Sequence, residues 1–363
     1  MRKPDLTSRL DLDTLDQRIV PSTMIDLTHR GDSSFAGAAI VSQCDAQPTG
    51  TGLIRSFVRI QGAASGGGSE QGYNTDARPL QFDENKSPQF TRSLTADLVP
   101  TVMINGVAYR EFLLDINQKA SSSKLSVDDI RIFLGGAPNL TATAAEASSG
   151  VHTLSGLSPV YDLNGGGADQ SIMLDASLNN GSGSGDMFLL VPDSAFAGAG
   201  SGTYVYLYSR MGAAAGATAN GGFEEWAVSA GVASTPVTGS ASLSGHVYFD
   251  MNGNNHFDPG EGVQGVTVEL RVTFDNGLTV SVGSVQTAVD GSYSFTGLPL
   301  GTYTILKTQP AGYQEGNDQI GTVNGATDGF LLQDRVLGND QFYGIILNAG
   351  DQGINYDFGL TLG

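Results

Sequence analysis

The segment Gly245–Leu270, GHVYFDMNGNNHFDPGEGVQGVTVEL, places a run rich in carboxylates and asparagines between two strand-like stretches. Numbered from Asp250, position 3 is Asn252, position 5 Asn254, position 7 His256, position 9 Asp258 and position 12 Glu261. That is the oxygen spacing of the twelve-residue EF-hand loop, in which alternate residues turn inward and a final glutamate closes the shell. Calcium is a hard cation that takes about 6–8 oxygens, and this spacing supplies them. Asp250, Asn252, Asn254 and Glu261 would offer side-chain oxygens, His256 its backbone carbonyl, and Asp258 an oxygen directly or through water. Position 6 is Asn255 instead of glycine, and asparagine is one of the few other residues that tolerates φ > 0. An EF-hand also needs flanking helices, and GHVYF and VQGVTVEL alternate like strands. The expectation is a calcium-type loop in a β setting; the competing reading is an Asx-rich turn with no ion.

Composition sets the wider frame. The 363 residues are too many for one ordinary domain. Acidic residues outnumber basic 37 to 18, and the net charge of −19 argues against nucleic acid or an anionic membrane surface as partner. One cysteine, Cys44, allows neither an intrachain disulfide nor a cysteine-based zinc site. An extracellular chain would then need another stiffening device, and bound metal is one. No run reaches the ~18 apolar residues of a membrane span.

The spacing of turn signals divides the chain. Residues 1–21 start basic, lack the apolar core of a secretory signal, and read as a short amphipathic helix or charged tail. From 22 to 228, GLIRSFVRIQG, PTVMINGVAYREFLLDI, IRIFLGG, MFLLVP and TYVYLYSRM are rich in β-branched and aromatic residues. Asn105-Gly106 is a strong hairpin signal, and LSVDDIRIFL could open a helical turn at Ser126. This part is expected to be a β-sandwich. Residues 229–242 are small and uncharged, a linker by composition. From 243 to 363, seven short strand patterns predict a second, smaller sandwich. The expected fold class is therefore all-β, two sandwiches in tandem. Tyr293, Phe295, Tyr303 and Phe358 are expected in the core.

DMNGNNHFDPGEGVQGVTV (Asp250–Val268), DGSYSFTGLPLGTY (Asp290–Tyr303), PAGY (Pro310–Tyr313) and INYDFGL (Ile354–Leu360) resemble the serine-aspartate-repeat adhesin B domain, a Cna-B-like module. The resemblance implies a prealbumin-like Greek-key sandwich that binds calcium and serves as a stiff spacer in bacterial surface proteins. It also marks 314–353 as an insertion before the last strand. Ala288 stands where the family often has another aspartate. Some relatives carry a Lys–Asn isopeptide crosslink, which needs a lysine on the first strand. GHVYFD has none, and Lys307, alone in the domain, is expected to be solvated. LDTLDQRIVPS (Leu12–Ser22) resembles the leader of exported planctomycete-type proteins. FLLDINQ, LSVDDIRIFLG, YDLNGGGAD, GSGSGDMFLLVPDSAF and the Tyr204–Val228 stretch resemble an uncharacterised domain of exported bacterial proteins.

Chemistry in the first domain finds little support. His29 and His152 sit in no hydrolase or metal motif, GSGSGD lacks a nucleophile-elbow context, and GAASGGG lacks a phosphate-loop lysine. Asp128/Asp129 and Glu224/Glu225 are acidic pairs that any β protein of this size can carry. Asp115, Asn117, Asp162, Asn164 and Asp169 have the chemistry of a further calcium site, or of Asx turns. Trp226 could stack on a sugar or cap a core. The expectation is a non-enzymatic secreted or cell-surface structural or adhesion protein whose calcium-rigidified module displays the first domain. Its expected partners are calcium and extracellular-matrix, cell-wall or glycan components. The rival is an extracellular carbohydrate-binding or carbohydrate-active protein. An exposed aromatic row, or a carboxylate pair in a cleft of the first domain, would favour that rival.

Overall fold

The structure, a computed structural model, describes residues 23–43, 54–62, 68–105, 107–165, 169–179, 185–220, 222–229, 241–273, 279–332 and 340–362. The expected leader at 1–21, Cys44 and linker residues 230–240 lie outside these. The fold is all-β, with strands stacked into two sandwiches.

In the first sandwich, one sheet runs in the order Thr23–Asp26, Gln170–Asp175, Lys124–Gly135, Tyr204–Met211, Glu70–Tyr73. The other runs Ser33–Ala36, Ala39–Gln43, Met187–Pro192, Val107–Asp115, Glu224–Ser229, Ile54–Ile60. The possible helical turn at Ser126 does not form; Lys124–Gly135 is one twelve-residue strand. Its β-branched residues pair with neighbours on both sides, and that pairing overrides the local turn signal. Thr101–Ile104 pairs with the start of Val107–Asp115, Ile104 opposite Val107, and Asn105 takes φ 47° at the turn.

The second sandwich has one sheet in the order Tyr313–Glu315, Phe358–Leu362, Ala241–Phe249, Gln352–Ile354, Thr322–Val323, Ala326–Thr327, with Ser292–Leu298 also paired to Ala241–Phe249. The facing sheet runs Thr279–Gln286, Thr267–Thr273, Gly301–Lys307, Gln341–Leu347, Phe330–Leu332. Tyr293, Phe295, Tyr303 and Phe358 are buried. The segment expected as an insertion is not an appendage. Gln341–Leu347 lies inside the second sheet beside Gly301–Lys307 and buries Phe342, Ile345 and Leu347.

The two sandwiches share a core. Along Met187–Pro192, Met187, Leu189 and Val191 join the interior of the first sandwich, whereas Phe188 and Leu190 belong to the apolar cluster of the second. Val107–Asp115 and Ala39–Gln43 divide likewise: Phe112, Leu114 and Val41 face one way, and Tyr109, Leu113 and Ile40 the other. A sheet covered on both faces needs apolar residues on both, which is why MFLLVP is a continuous run. Phe35 meets Tyr303 edge-on with ring centroids 6.3 Å apart. Asn105 reproduces a strand's pairing with Thr296: Thr296 N–H donates to its Oδ1 (3.3 Å), and its Nδ2 donates to the Thr296 carbonyl (3.0 Å).

Candidate metal centre

The loop begins where the strand Ala241–Phe249 ends. Its first residue, Asp250, still donates its backbone N–H to the Leu360 carbonyl (3.2 Å), and where the chain then turns its carboxylate collects the turn's amides. Oδ1 accepts from Gly253 N (2.8 Å) and Asn254 N (3.1 Å), and Oδ2 from Asn255 N (2.9 Å). Asn252 Oδ1 accepts from Asn254 N (3.0 Å), and Asn254 Oδ1 from His256 N (2.8 Å). The coil is tight enough to need left-handed residues at Gly253 (φ 71°) and Asn255 (φ 63°). Asn252 Nδ2 and Asn254 Nδ2 both donate to Asp258 Oδ2, at 2.8 and 2.7 Å. These bonds hold the Asp258 carboxyl below its usual range. Three of the five candidate side chains thus converge on one point. Rotating either amide would turn its oxygen toward that point.

Glu261 closes the loop from beneath. It is 5% exposed; Oε1 accepts from Met251 N (3.0 Å) and Oε2 from Asp258 N (3.0 Å), tying the start of the loop to its end. The His256 side chain is exposed. The donor set of Asp250, Asn252, Asn254, Asp258 and Glu261, with the His256 carbonyl, is all oxygen, which suits calcium and not a thiophilic metal.

Residues outside the motif brace it. Asn317 Nδ2 donates to Asn255 Oδ1, and Gln319 Nε2 donates to the Asn255 carbonyl (2.8 Å). Phe257 stacks on His246 at 3.9 Å between ring centroids. The only hint of the first pair in the sequence is another Asx-rich turn, GNDQ, since nothing local links 317 to 255. Asp290, kept from the family pattern, points at its own turn, accepting from Ser292 N (3.1 Å) and Oγ (2.7 Å). Thr287 Oγ1 accepts from Val266 N (3.0 Å) and donates to the Val263 carbonyl (2.6 Å), pinning the strand that leaves the loop.

Lys307 is not solvated. It is 1% exposed, with Nζ 2.5 Å from Glu315 Oε2 and 3.7 Å from Asp340 Oδ2. Its strand points it inward, and the methylene stem crosses apolar surface to reach a buried acidic cluster. Burial pushes the carboxyls of Glu315 and Asp318 up to about 7.

The oxygen-rich residues of the first domain do not assemble. Asp115 belongs to one sheet and Asp162 to a strand on the other. Asp162 Oδ1 accepts from Asn164 N (2.9 Å) as an Asx turn, its Oδ2 meets Arg131 Nε (3.1 Å), and Asn164 Oδ1 accepts from Gln170 N (2.6 Å). Trp226 is fully buried and donates from Nε1 to Ser209 Oγ (2.9 Å), so it caps a core and offers no stacking platform. An open cleft of about 310 Å³ is lined by Asp129, Asp169, Arg131, Arg210 and His152. Asp129 is held in an ion pair with Arg131 (2.8 Å), and Asp128, next to it at a bulge in the pairing with Tyr204–Met211, accepts from Ala213 N through Oδ2 (2.7 Å). Asp26, His29 and Asp32 lie close together in an exposed loop, with His29 Nδ1 3.2 Å from Asp32 Oδ2.

Residues 241–360 match the family model described as the SdrD B-like domain. This segment is similar to the SdrD B-like domain. The match covers the loop, its bracing residues and Lys307, and leaves the first sandwich outside it. No curated protein matches the chain. Among solved structures, the pilus adhesin RrgA of Streptococcus pneumoniae aligns over 66% of this chain and 32% of its own, at 8% identity and a TM-score of 0.21. The chain thus spans about a third of that protein. The pilus 2b backbone protein of group B streptococcus aligns over 75% and 97%, at 13% identity and 0.21. The full-length major pilin SpaD of Corynebacterium diphtheriae aligns over 81% and 65%, at 7% identity and 0.20. Likenesses this distant carry no argument about this chain. No helix among the described residues is long and apolar enough to cross a membrane.

Proposed function

We propose that the chain is a non-enzymatic structural or adhesion protein of the cell surface or extracellular space, in which the SdrD B-like domain is a calcium-stiffened support for the first sandwich. The observation that carries the reading is the loop itself. Asn252, Asn254 and Asp258 converge on one point, Asp250 organises the coil, and a buried Glu261 clamps its two ends. Calcium would be held by Asp250, Asn252, Asn254, Asp258, Glu261 and the His256 carbonyl. The ion supplies charge neutralisation and a fixed shell, and the residues supply the geometry. Because the loop binds only when folded, calcium adds RT ln(1 + [Ca]/Kd), about 2.7 kcal/mol at a hundredfold excess over Kd. With no disulfide available to the chain, that contribution is a large fraction of a typical 5–15 kcal/mol stability. Binding by the first domain to matrix, cell-wall or glycan components belongs to the same reading. The open cleft does hold a carboxylate pair, Asp129 and Asp169, but Asp129 is tied to Arg131 (2.8 Å), and no exposed aromatic row accompanies the pair among the described residues of the first sandwich.

Hydrogen exchange on the full chain tests the ion. The amides of Gly253, Asn254, Asn255 and His256 should gain about 100-fold protection at a hundredfold excess of calcium over Kd. The gain should vanish in an Asp250→Ala, Glu261→Ala double variant. Exchange in the loop that ignores calcium would reduce it to an Asx-rich turn.

A further inference from the structure

The first sandwich holds a second set of oxygens, at one end of its interior and far in sequence from the loop. Glu70 opens the strand Glu70–Tyr73 of one sheet, and Glu224 opens Glu224–Ser229 of the other. Both side chains point between the sheets: Glu70 lies beside Met211 and Glu224 beside Ile60, both core residues. Glu70 is 3% exposed and Glu224 1%. Each carboxylate has one satisfied oxygen. Glu70 Oε2 accepts from Gly62 N (2.6 Å), and Glu224 Oε1 accepts from Gln118 Nε2 (2.5 Å). The remaining oxygens, Glu70 Oε1 and Glu224 Oε2, are buried without a hydrogen-bond partner among the described residues, and so is Gln118 Oε1.

Two buried carboxylates facing each other need something positive between them. Burial first, then the facing Glu70 carboxylate, push the Glu224 carboxyl well above its ordinary range. A shared proton would join the two glutamates but leave Gln118 Oε1 unpaired. A hard cation between the two carboxylates would satisfy Glu70 Oε1 and Glu224 Oε2 at once, with the Gln118 oxygen and water available to complete its shell.

We propose that Glu70, Glu224 and Gln118 form a calcium site that ties the two sheets of the first sandwich together. It is independent of the loop at Asp250–Glu261. The ligand set is two carboxylates and an amide oxygen, without nitrogen or sulfur donors, so the cation is of the calcium class and not zinc or copper.

The chain's single tryptophan makes the site addressable. Trp226 is two residues from Glu224 on the same strand and faces the same interior. Terbium, used as the probe in place of calcium, is added to the full chain and excited through the red edge of the tryptophan band, where tyrosines near the loop do not absorb. Sensitised terbium emission that calcium displaces is expected. It should persist in the Asp250→Ala, Glu261→Ala variant and be lost in Glu70→Gln, Glu224→Gln. Near-ultraviolet circular dichroism shows whether the latter is folded. As a second measurement, equilibrium dialysis of the loop variant should find one calcium per chain. The proposal is overturned by wild-type chain without sensitised emission, by emission kept in full in folded Glu70→Gln, Glu224→Gln, or by a loop variant that binds no calcium. Displacement by magnesium where calcium fails would overturn the choice of ion.

Discussion

Truncating Tyr303 to alanine should destabilise the first sandwich, although Tyr303 lies in the second. Its ring is fully buried, its hydroxyl donates to the Pro299 carbonyl (2.6 Å), and its edge meets Phe35 across the junction. Loss of a buried aromatic costs about 3–5 kcal/mol, of which about 0.5–1.5 belongs to the ring–ring contact. If Phe35, Ile40, Tyr109, Leu113, Phe188 and Leu190 are covered only while the second sandwich is in place, the whole chain unfolds together. The loss then appears at every reporter. Urea unfolding followed by the fluorescence of Trp226, in the first core, should coincide with far-ultraviolet circular dichroism in the wild type. In Tyr303→Ala the Trp226 midpoint should fall by about 1 M or more, at a slope of about 1–3 kcal/mol per molar urea. Gly283→Ala is the companion. A Cβ there would stand 2.3 Å from the Asn105 carbonyl oxygen, so the hairpin tip must move, and a fall of about 1–3 kcal/mol at the same reporter is expected. A Trp226 midpoint unmoved by either change would show that the sandwiches unfold independently and would refute the shared core.

Replacing Lys307 by methionine should leave Glu315 and Asp340 without their cation and cost about 3–5 kcal/mol above about pH 8. Glu315 and Asp318 keep their protons up to about 7 when folded, so the loss should shrink toward about pH 5, where those carboxyls are neutral; urea unfolding at both pH values checks this. Asp186 is buried, and burial pushes its carboxyl up to about 8 from 3.8. The folded state therefore holds a proton that the unfolded chain has released, so stability should fall as pH rises between those two values. Asp186→Asn should flatten that fall by up to about 1.4 kcal/mol per pH unit, measured from melting curves across the range.

The sequence displayed the strands well and their neighbours poorly. Alternation in VTVELRVT and the apolar run MFLLVP announced strands because side-chain period and burial are local. What covers the second face of MFLLVP is decided by residues more than fifty positions away, so the continuous run did not reveal that the sandwiches share a core. The loop register was legible because all its members lie within twelve residues. Its braces, Asn317 and Gln319, were not, since only tertiary folding brings them to Asn255. Lys307 was misjudged for a similar reason: a lone lysine carries no sign of the carboxylates gathered from 315, 318 and 340. Glu70 and Glu224 are 154 residues apart, and no pattern of spacing could have joined them.

In the second sandwich the opening strand Ala241–Phe249 and the closing strand Phe358–Leu362 lie side by side and parallel, Val247 with Phe358, Tyr248 with Gly359 and Phe249 with Leu360. Parallel neighbours have their starts at the same end, so the point where the chain enters and the point where it leaves are at opposite ends of that pair. Tension applied at Ala241 and Leu362 would slide the two strands along each other and would not peel them apart. Their hydrogen bonds would carry the load together instead of failing one after another.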